Sequence, residues 1–252
     1  MKQIDLNCDL GESYGSFKVG EDEAIIPFVT SINVACGYHA GDHNTMAKTV
    51  QLAKVHGARI GAHPGFNDLF GFGRRPIQTT PEDIYHFVVY QISALEGFCK
   101  LHNLTMQHVK PHGALFNMAA VDPKMSDAIA RAVKDTNPDL VLFGLSGSEL
   151  IKAGLNHGLK VANEVFADRT YQPDGTLTPR TSEHALITNH EQAIEQVLQM
   201  VKTSTVTAVD GSTIPMEADT VCVHGDGEHA LLFVTELRKH LTEQGINITS
   251  IL

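Results

Sequence analysis

Ser31-Ile32-Asn33-Val34-Ala35-Cys36-Gly37-Tyr38-His39-Ala40-Gly41-Asp42 contains the plan of the whole chain. Its first half, Ser31–Cys36, is a short, largely apolar run of the kind that forms a strand buried on both faces. Its second half is polar and glycine-flanked. It ends on Asp42, a residue suited to cap a helix that starts there. Strand, polar cluster and helix start, in that order, make one β–α unit.

The same order recurs in both directions. Further strands are expected at Ile4–Cys8, Arg59–Ala62, His108–Lys110, Leu140–Gly144, Lys160–Val165 and Thr220–Val223. Most are rich in Val, Ile and Leu without strict polar alternation, as in parallel sheets covered by helices on both sides. Thr80-Pro81-Glu82-Asp83 and Asp122-Pro123 are helix starts with a capping side chain and a proline in the first turn. Thr188 with Glu191 reads as a capping box for a helix carrying Ala193, Ile194, Val197, Leu198 and Val201 on one face. The last helix carries Ala230, Val234, Leu237 and Leu241. Asp168–Ser182 reads as a loop or hairpin excursion, and Thr203–Ala218, with Asp210-Gly211, as a second hairpin.

Seven or so β–α units in 252 residues predict an α/β fold closed into a parallel barrel, with a doubly wound open sheet as the alternative. No linker or low-complexity stretch interrupts the pattern, so residues 1–252 are read as one domain.

Composition narrows the function. The formal charge of −10 argues against a nucleic-acid surface. No apolar run approaches a membrane span, and the opening Met1-Lys2-Gln3-Ile4-Asp5 turns acidic before a signal core could form. Four separated cysteines (Cys8, Cys36, Cys99, Cys222) form no C-x-x-C pair and fit a reducing cytoplasm, and Cys8, Cys36 and Cys222, at strand ends, read as buried structural thiols. The unusual figure is 14 histidines beside no tryptophan.

Position sorts those histidines. Polar or glycine-rich clusters stand directly after the strands: Asn7–Glu12, Asn33–Asp42, Gly61–Gly65, Lys110–Ala114, Glu164–Arg169 and His224–Gly227. In a parallel α/β protein such segments converge on one rim, where active sites are built. His39, His63, His112 and His224 belong to this rim. His56, His102 and His157 end helices, where they cap carbonyls. His86, His184, His190 and His240 read as solvated, and His43 and His229 start helices near the rim. Asp5, Asp9, Glu12 and Asp42 add carboxylates for acid–base work or for a divalent metal.

Asp9, His39 and His63 are the metal candidates, although the spacing matches no specific site type. His39 and His43 stand four apart, but the helix start at Asp42 lies between them, so they do not share a helical face. Gly71-Phe72-Gly73-Arg74-Arg75 is the main basic feature and could hold a carboxylate or phosphate. Lys110, at a strand end, could anchor an anion or activate a nucleophile. Phosphate-loop, dinucleotide and nucleophile-elbow signatures are missing.

Read in order, DLNCDLGE (5–12), NVACGYHAGD (33–42), GAHPGFNDLFGFGRR (61–75), VKPHGALFN (109–117), EVFADRTYQPDGTLTPR (164–180) and CVHGDGEHA (222–230) resemble the LamB/YcsF family. The resemblance spans nearly the whole chain. It implies a distorted parallel (β/α) barrel of about seven strands, related to polysaccharide-deacetylase-like folds. It also implies a reaction in which 5-oxo-L-proline, ATP and water give L-glutamate, ADP and phosphate, carried out with two partner subunits, B and C. ATP is then a co-substrate that can sit on a partner.

Opening a stable lactam needs a base for water, a proton for the ring nitrogen and cations for carboxylate and phosphate. Asp9, His39, His63 and His112 are the candidates for proton transfer. Lys110, Arg74 and Arg169 are the candidates for binding substrate and anion, with Glu12 and Asp168 beside them. Two rival readings stand: a metal-dependent deacetylase or amidohydrolase that works without ATP, and a non-catalytic scaffold that binds substrate for its partners.

Overall fold

The structure, a computed structural model, describes residues 2–223 and 230–251. Strand β1 (Gln3–Leu10) passes through a short helix α1 (Asp22–Ile25) and a single 3-10 turn to β2 (Ser31–Ala35). There follow α2 (His43–His56), β3 (Arg59–His63), α3 (Pro81–Leu101), β4 (Met106–Val109), α4 (Gly113–Ala119) and α5 (Pro123–Thr136). The second half runs β5 (Val141–Leu145), α6 (Glu149–Asn156), β6 (Lys160–Phe166), α7 (His190–Thr203), β7 (Thr205–Thr207), β8 (Thr213–Pro215), β9 (Thr220–Val223), α8 (Ala230–Glu243) and β10 (Asn247–Ile248).

Seven strands pair in parallel in the order β1-β2-β3-β4-β5-β6-β9, and β9 returns to β1. Asn7 is registered with Ser31 on one side and with Cys222 on the other. That second pairing closes the ring and removes the open-sheet alternative. All seven expected strands are present, and β10 adds a short parallel pairing to the start of β1 outside the ring.

The helices begin where their caps predict. Asp42 accepts hydrogen bonds from the Asn44 and Thr45 amides at 2.8 and 2.9 Å. Thr80 caps α3, and Asp122 caps α5. One start is corrected: Asn189, not Thr188, caps α7, accepting from the Gln192 amide at 3.0 Å. Asn189 lies one residue nearer the helix, so it reaches the third amide of the first turn, which a capping side chain needs. The Thr203–Ala218 segment forms the expected hairpin, β7 against β8, turning through Asp210-Gly211. The Asp168–Ser182 excursion is held by isolated bridges, Tyr171 to Leu177 and Arg169 to Leu186.

A second correction concerns the strands themselves. They are buried on both faces, but β1 alternates strictly: Ile4, Leu6, Cys8 and Leu10 join the apolar core, while Asp5, Asn7 and Asp9 join one another through a polar network. Ile32 and Val34 of β2 repeat the pattern against Ser31 and Asn33. Alternation usually marks a strand with one wet face. Here the polar face turns inward and satisfies itself across the barrel, and the apolar face packs against the helices. Helices α2 and α3 cover β2, β3 and β4, and α6 covers β5 and β6. Burying each large outer side chain contributes about 1.5–3 kcal/mol.

The interior network climbs the barrel in steps. Asp5 accepts from the Ser31 and Thr220 hydroxyls at 2.6 and 2.5 Å. Asn7 donates to Thr220 at 2.7 Å and to Glu164 at 3.0 Å. Asn33 donates to Asn7 at 2.7 Å and to Asp9 at 2.8 Å, and accepts from His108 Nε2 at 2.7 Å. The His108 ring stacks on Phe143, which forms a small apolar cluster with Val141 and Ala162. Gly61 lies against the same ring, where any Cβ would collide with it.

Candidate active site

The upper end of this network opens into a cavity of about 460 Å³ at the carboxyl ends of the strands. Asp9 from β1, His63 from β3, Lys110 and His112 after β4, and Phe166 at the end of β6 line it together with Glu12, Arg74, Arg169 and Arg180. Thus β–α loops distant in sequence meet in one chamber. Among the expected site residues His39 sits behind this wall, fully buried with its ring stacked 3.7 Å from that of His112. Asp168 is outside the lining and acts on Arg169 electrostatically. His224, with the Gly225–Gly227 part of its cluster, and His229 lie outside the described residues.

Lys110 occupies an unexpected role. Its ammonium lies 2.9 Å from Asp9 Oδ1 and 2.8 Å from Glu164 Oε1, and it also donates to Cys222 Sγ at 3.1 Å. Burial pulls its pKa down, but Asp9, Cys222 and Glu164 together lift it well above the ordinary lysine value. The charge is therefore kept and is spent on two carboxylates of the protein, not on an incoming anion. The result is a held Asp9: Oδ1 is fixed by Lys110 and Asn33, and Oδ2 is left facing His63 Nε2 at 3.2 Å.

The histidines are held from behind. His63 Nδ1 donates to the Lys110 carbonyl at 2.7 Å, and His112 Nε2 donates to the Phe72 carbonyl at 2.8 Å. Phe72 reaches that position with φ at +52°, and Gly73 beside it with φ at +62°. A Cβ on Gly73 would come 2.6 Å from His39 Cβ and 2.8 Å from His112 Cδ2, so the glycine-rich loop is shaped to the imidazoles. His39 Nε2 donates to Glu12 Oε1 at 3.3 Å. Burial holds the pKa of both His39 and His112 well below the ordinary imidazole range, with neighbouring imidazoles adding to the effect.

The paired arginines separate. Arg75 binds the buried carboxylate of Asp68 away from the chamber, and Arg74 turns its guanidinium over the Phe72 ring at 4.9 Å. Arg169 is buried, donating to the Thr178 carbonyl at 2.6 Å. Burial, then Arg180 beside it, lowers its pKa to about 10. Lys110 also lines the chamber, but its ammonium is engaged by Asp9 and Glu164, so the guanidinium groups are the cations placed to meet an incoming anion.

Several residues of the site escape sequence reading. Asn7, Asn33 and Glu164 open strand-end clusters but do not stand out within them, His108 lies inside a strand, and Arg180 ends the 164–180 stretch outside every cluster. The available signal for Asn7 and Asn33 is the alternation of β1 and β2, and for His108 its place as a buried histidine next to Val109 in β4. All four cysteines are free and buried, as expected for Cys8, Cys36 and Cys222, and Cys99 is buried as well. Among the described residues no helix is long and apolar enough to cross a membrane.

Comparison with known proteins agrees with this architecture. The model of the LamB/YcsF family matches residues 4–252. A relative from Halalkalibacterium halodurans, the A subunit of 5-oxoprolinase, is 63% identical over 251 residues, covering 100% of this chain and 98% of its own length. The crystal structure of the lactam utilization protein of Thermus thermophilus superposes with a TM-score of 0.93 at 42% identity, covering 99% of this chain and all of that one. The catalytic domain of a peptidoglycan N-acetylglucosamine deacetylase from Eubacterium rectale gives a TM-score of 0.53 at 12% identity, covering 100% of this chain and 89% of that one. This last is a likeness of fold alone, and it bears out the deacetylase-like barrel.

Proposed function

The chain belongs to the LamB/YcsF family, and from that premise we propose that it opens the lactam ring of 5-oxo-L-proline by hydrolysis, as the A subunit of a 5-oxoprolinase. The observation that carries the reading is the posture of Asp9. One carboxylate oxygen is anchored by Lys110 and Asn33, and the other is presented at a chamber lined by Arg74, Arg169 and Arg180.

A lactam carbonyl is a poor electrophile until its oxygen is made a better leaving group or its charge is stabilised. ATP supplies that activation by phosphorylating the oxygen, and subunits B and C are the partners in this step. Asp9 Oδ2 takes the proton of the attacking water and returns it to the ring nitrogen as the C–N bond breaks, which leaves a γ-glutamyl phosphate, and a second water hydrolyses this acyl phosphate to glutamate and inorganic phosphate. The arginines hold the substrate carboxylate and the phosphoryl charge, for which planar guanidinium groups are suited. Lys110 and Asn33 position Asp9. The four buried free thiols support a reducing, cytoplasmic location.

The test is to incubate the chain with 5-oxo-L-proline and ATP, with and without subunits B and C, and to measure glutamate and phosphate together. Glutamate and phosphate in equal amounts, lost in Asp9→Asn, is the expected result. Glutamate without phosphate would favour the amide hydrolase that needs no ATP. Full turnover by Asp9→Asn would overturn the assignment of the base.

A further inference from the structure

The two imidazoles at the floor of the chamber meet through the wrong atoms for a hydrogen bond between neutral rings. His63 Nε2 and His112 Nδ1 lie 2.9 Å apart. A carbonyl oxygen only accepts, so the contact of His63 Nδ1 with the Lys110 carbonyl requires a proton on Nδ1. In the neutral ring Nε2 is then bare. The same argument with the Phe72 carbonyl places the proton of His112 on Nε2 and leaves Nδ1 bare. Two lone pairs therefore face each other.

The surroundings add electron pairs. Asp9 Oδ2 lies 3.2 Å from His63 Nε2, and Glu12 Oε1 lies 3.7 Å from His112 Nδ1. His39 Nε2 is directed at Glu12 Oε1. Bare imidazole nitrogens and carboxylates that converge in a buried site are stabilised by a cation held between them.

We propose that Glu12 Oε1, His63 Nε2 and His112 Nδ1 bind one divalent transition-metal ion. Ligand atoms from Glu12, His39, His63 and His112 all lie within 4.8 Å of one another. His39 is nevertheless not a ligand. Its ring is parallel to that of His112, 3.7 Å away with an interplanar angle of 3°, and one ion cannot lie in both ring planes. His39 orients Glu12, and the two carbonyls orient the ligand imidazoles, as the outer contacts of a metal-binding histidine do. Cis ligands at about 2.1 Å from an ion stand about 3 Å apart, which matches the spacing of the two nitrogens. An imidazole, imidazole, carboxylate set suits zinc, manganese, cobalt or nickel, and such an ion with an open position toward the chamber would polarise an oxygen placed there.

The probe is Co²⁺ added to the full chain freed of metal by chelator, followed by visible absorption and by nitrogen NMR of the histidines. Expected are one bound Co²⁺ per chain with ligand-field bands, and with Zn²⁺ a shift of His63 Nε2 and His112 Nδ1 while the opposite nitrogens keep their protons. His112→Ala abolishes the bands. The isosteric Glu12→Gln, which guards against a misfolded alanine variant, weakens binding by at least about tenfold. His157→Ala, which removes a partner of Asp127 on the surface, leaves binding unchanged. Wild-type protein that binds neither ion, variants that bind as tightly as wild type, or a proton shared between the two nitrogens and undisturbed by Zn²⁺ would each overturn the site. No lactam, ATP or partner protein enters the measurement, so it succeeds or fails independently of the proposed activity.

Discussion

Lys110 Nζ and Glu164 Oε1 lie 2.8 Å apart, with both side chains shut inside the barrel. Asp9 is the second carboxylate on the same ammonium. Lys110→Met would strand two carboxylates without a counter-charge, at an expected cost of about 3–5 kcal/mol. Glu164→Gln keeps an oxygen for Asn7 and Lys110 and should cost no more than about 1.5 kcal/mol. Urea unfolding of the two variants separates these values. Equal losses would show that the lysine charge does not organise the interior.

Arg74 is exposed at the chamber mouth, stacked on Phe72. Its removal should leave stability within about 0.5 kcal/mol of wild type. A charge-assisted hydrogen bond to the substrate is worth about 1.5–3 kcal/mol, so Arg74→Ala should raise KM about tenfold or more, with kcat much less affected. Steady-state kinetics of glutamate release in the assembled enzyme checks this. A fall in kcat at unchanged KM would count against a binding role.

Gly61 lies under the His108 ring, with no space for a Cβ. Gly61→Ala should cost more than the usual 1–3 kcal/mol of an overpacked core, because ring and strand are both fixed, the ring by Phe143 and Asn33. In Gly61→Ala/His108→Ala the collision is removed, so the double variant should be more stable than the sum of the single changes by at least about 1 kcal/mol. Additive losses in denaturant melts would show that the two residues do not compete for space.

Burial lowers the His108 pKa to about 3, against about 6.5 for an exposed imidazole. The native state thus keeps the ring neutral and the unfolded state protonates it first. The stability this contributes is full above pH 6.5 and is lost as pH falls from about 6.5 toward about 3, by at most about 1.4 kcal/mol per pH unit. Asp5 and Glu164, whose pKa values burial raises, act in the opposite sense, since their ionisation weakens the fold as pH rises above the ordinary carboxylate range. Comparing wild type with His108→Gln between pH 7 and 5 isolates the histidine. The variant should show a flatter loss of stability on acidification, and identical slopes would contradict a buried neutral His108.

Much of the site was legible because strand-end clusters need no tertiary knowledge to be grouped. Asp9, His63 and His112 follow three different strands, and any closed parallel barrel brings strand ends to one rim. Lys110 was legible as a site residue but not in its role. Its sequence context shows a cation at a strand end, whereas its partner Glu164 is two strands further round the ring, at the register position facing Thr220. His108 escaped notice because a histidine beside Gln107 in a four-residue strand gives no hint of the direction it faces.

The order of apolar and polar residues determined the seven strands, most helix starts and the gathering of the clusters, since these depend on contacts within a few residues. Which face of each strand turns inward was decided only by closure. In β1 the same alternation could place Asp5, Asn7 and Asp9 in water, and only the pairing of β9 with β1 encloses them against Ser31, Asn33 and Lys110. The pairing of β3 with β4 brings His63 and His112 together at 2.9 Å while main-chain carbonyls fix their opposite nitrogens. Such a meeting of lone pairs depends on ring orientation, and orientation is set by packing among distant segments.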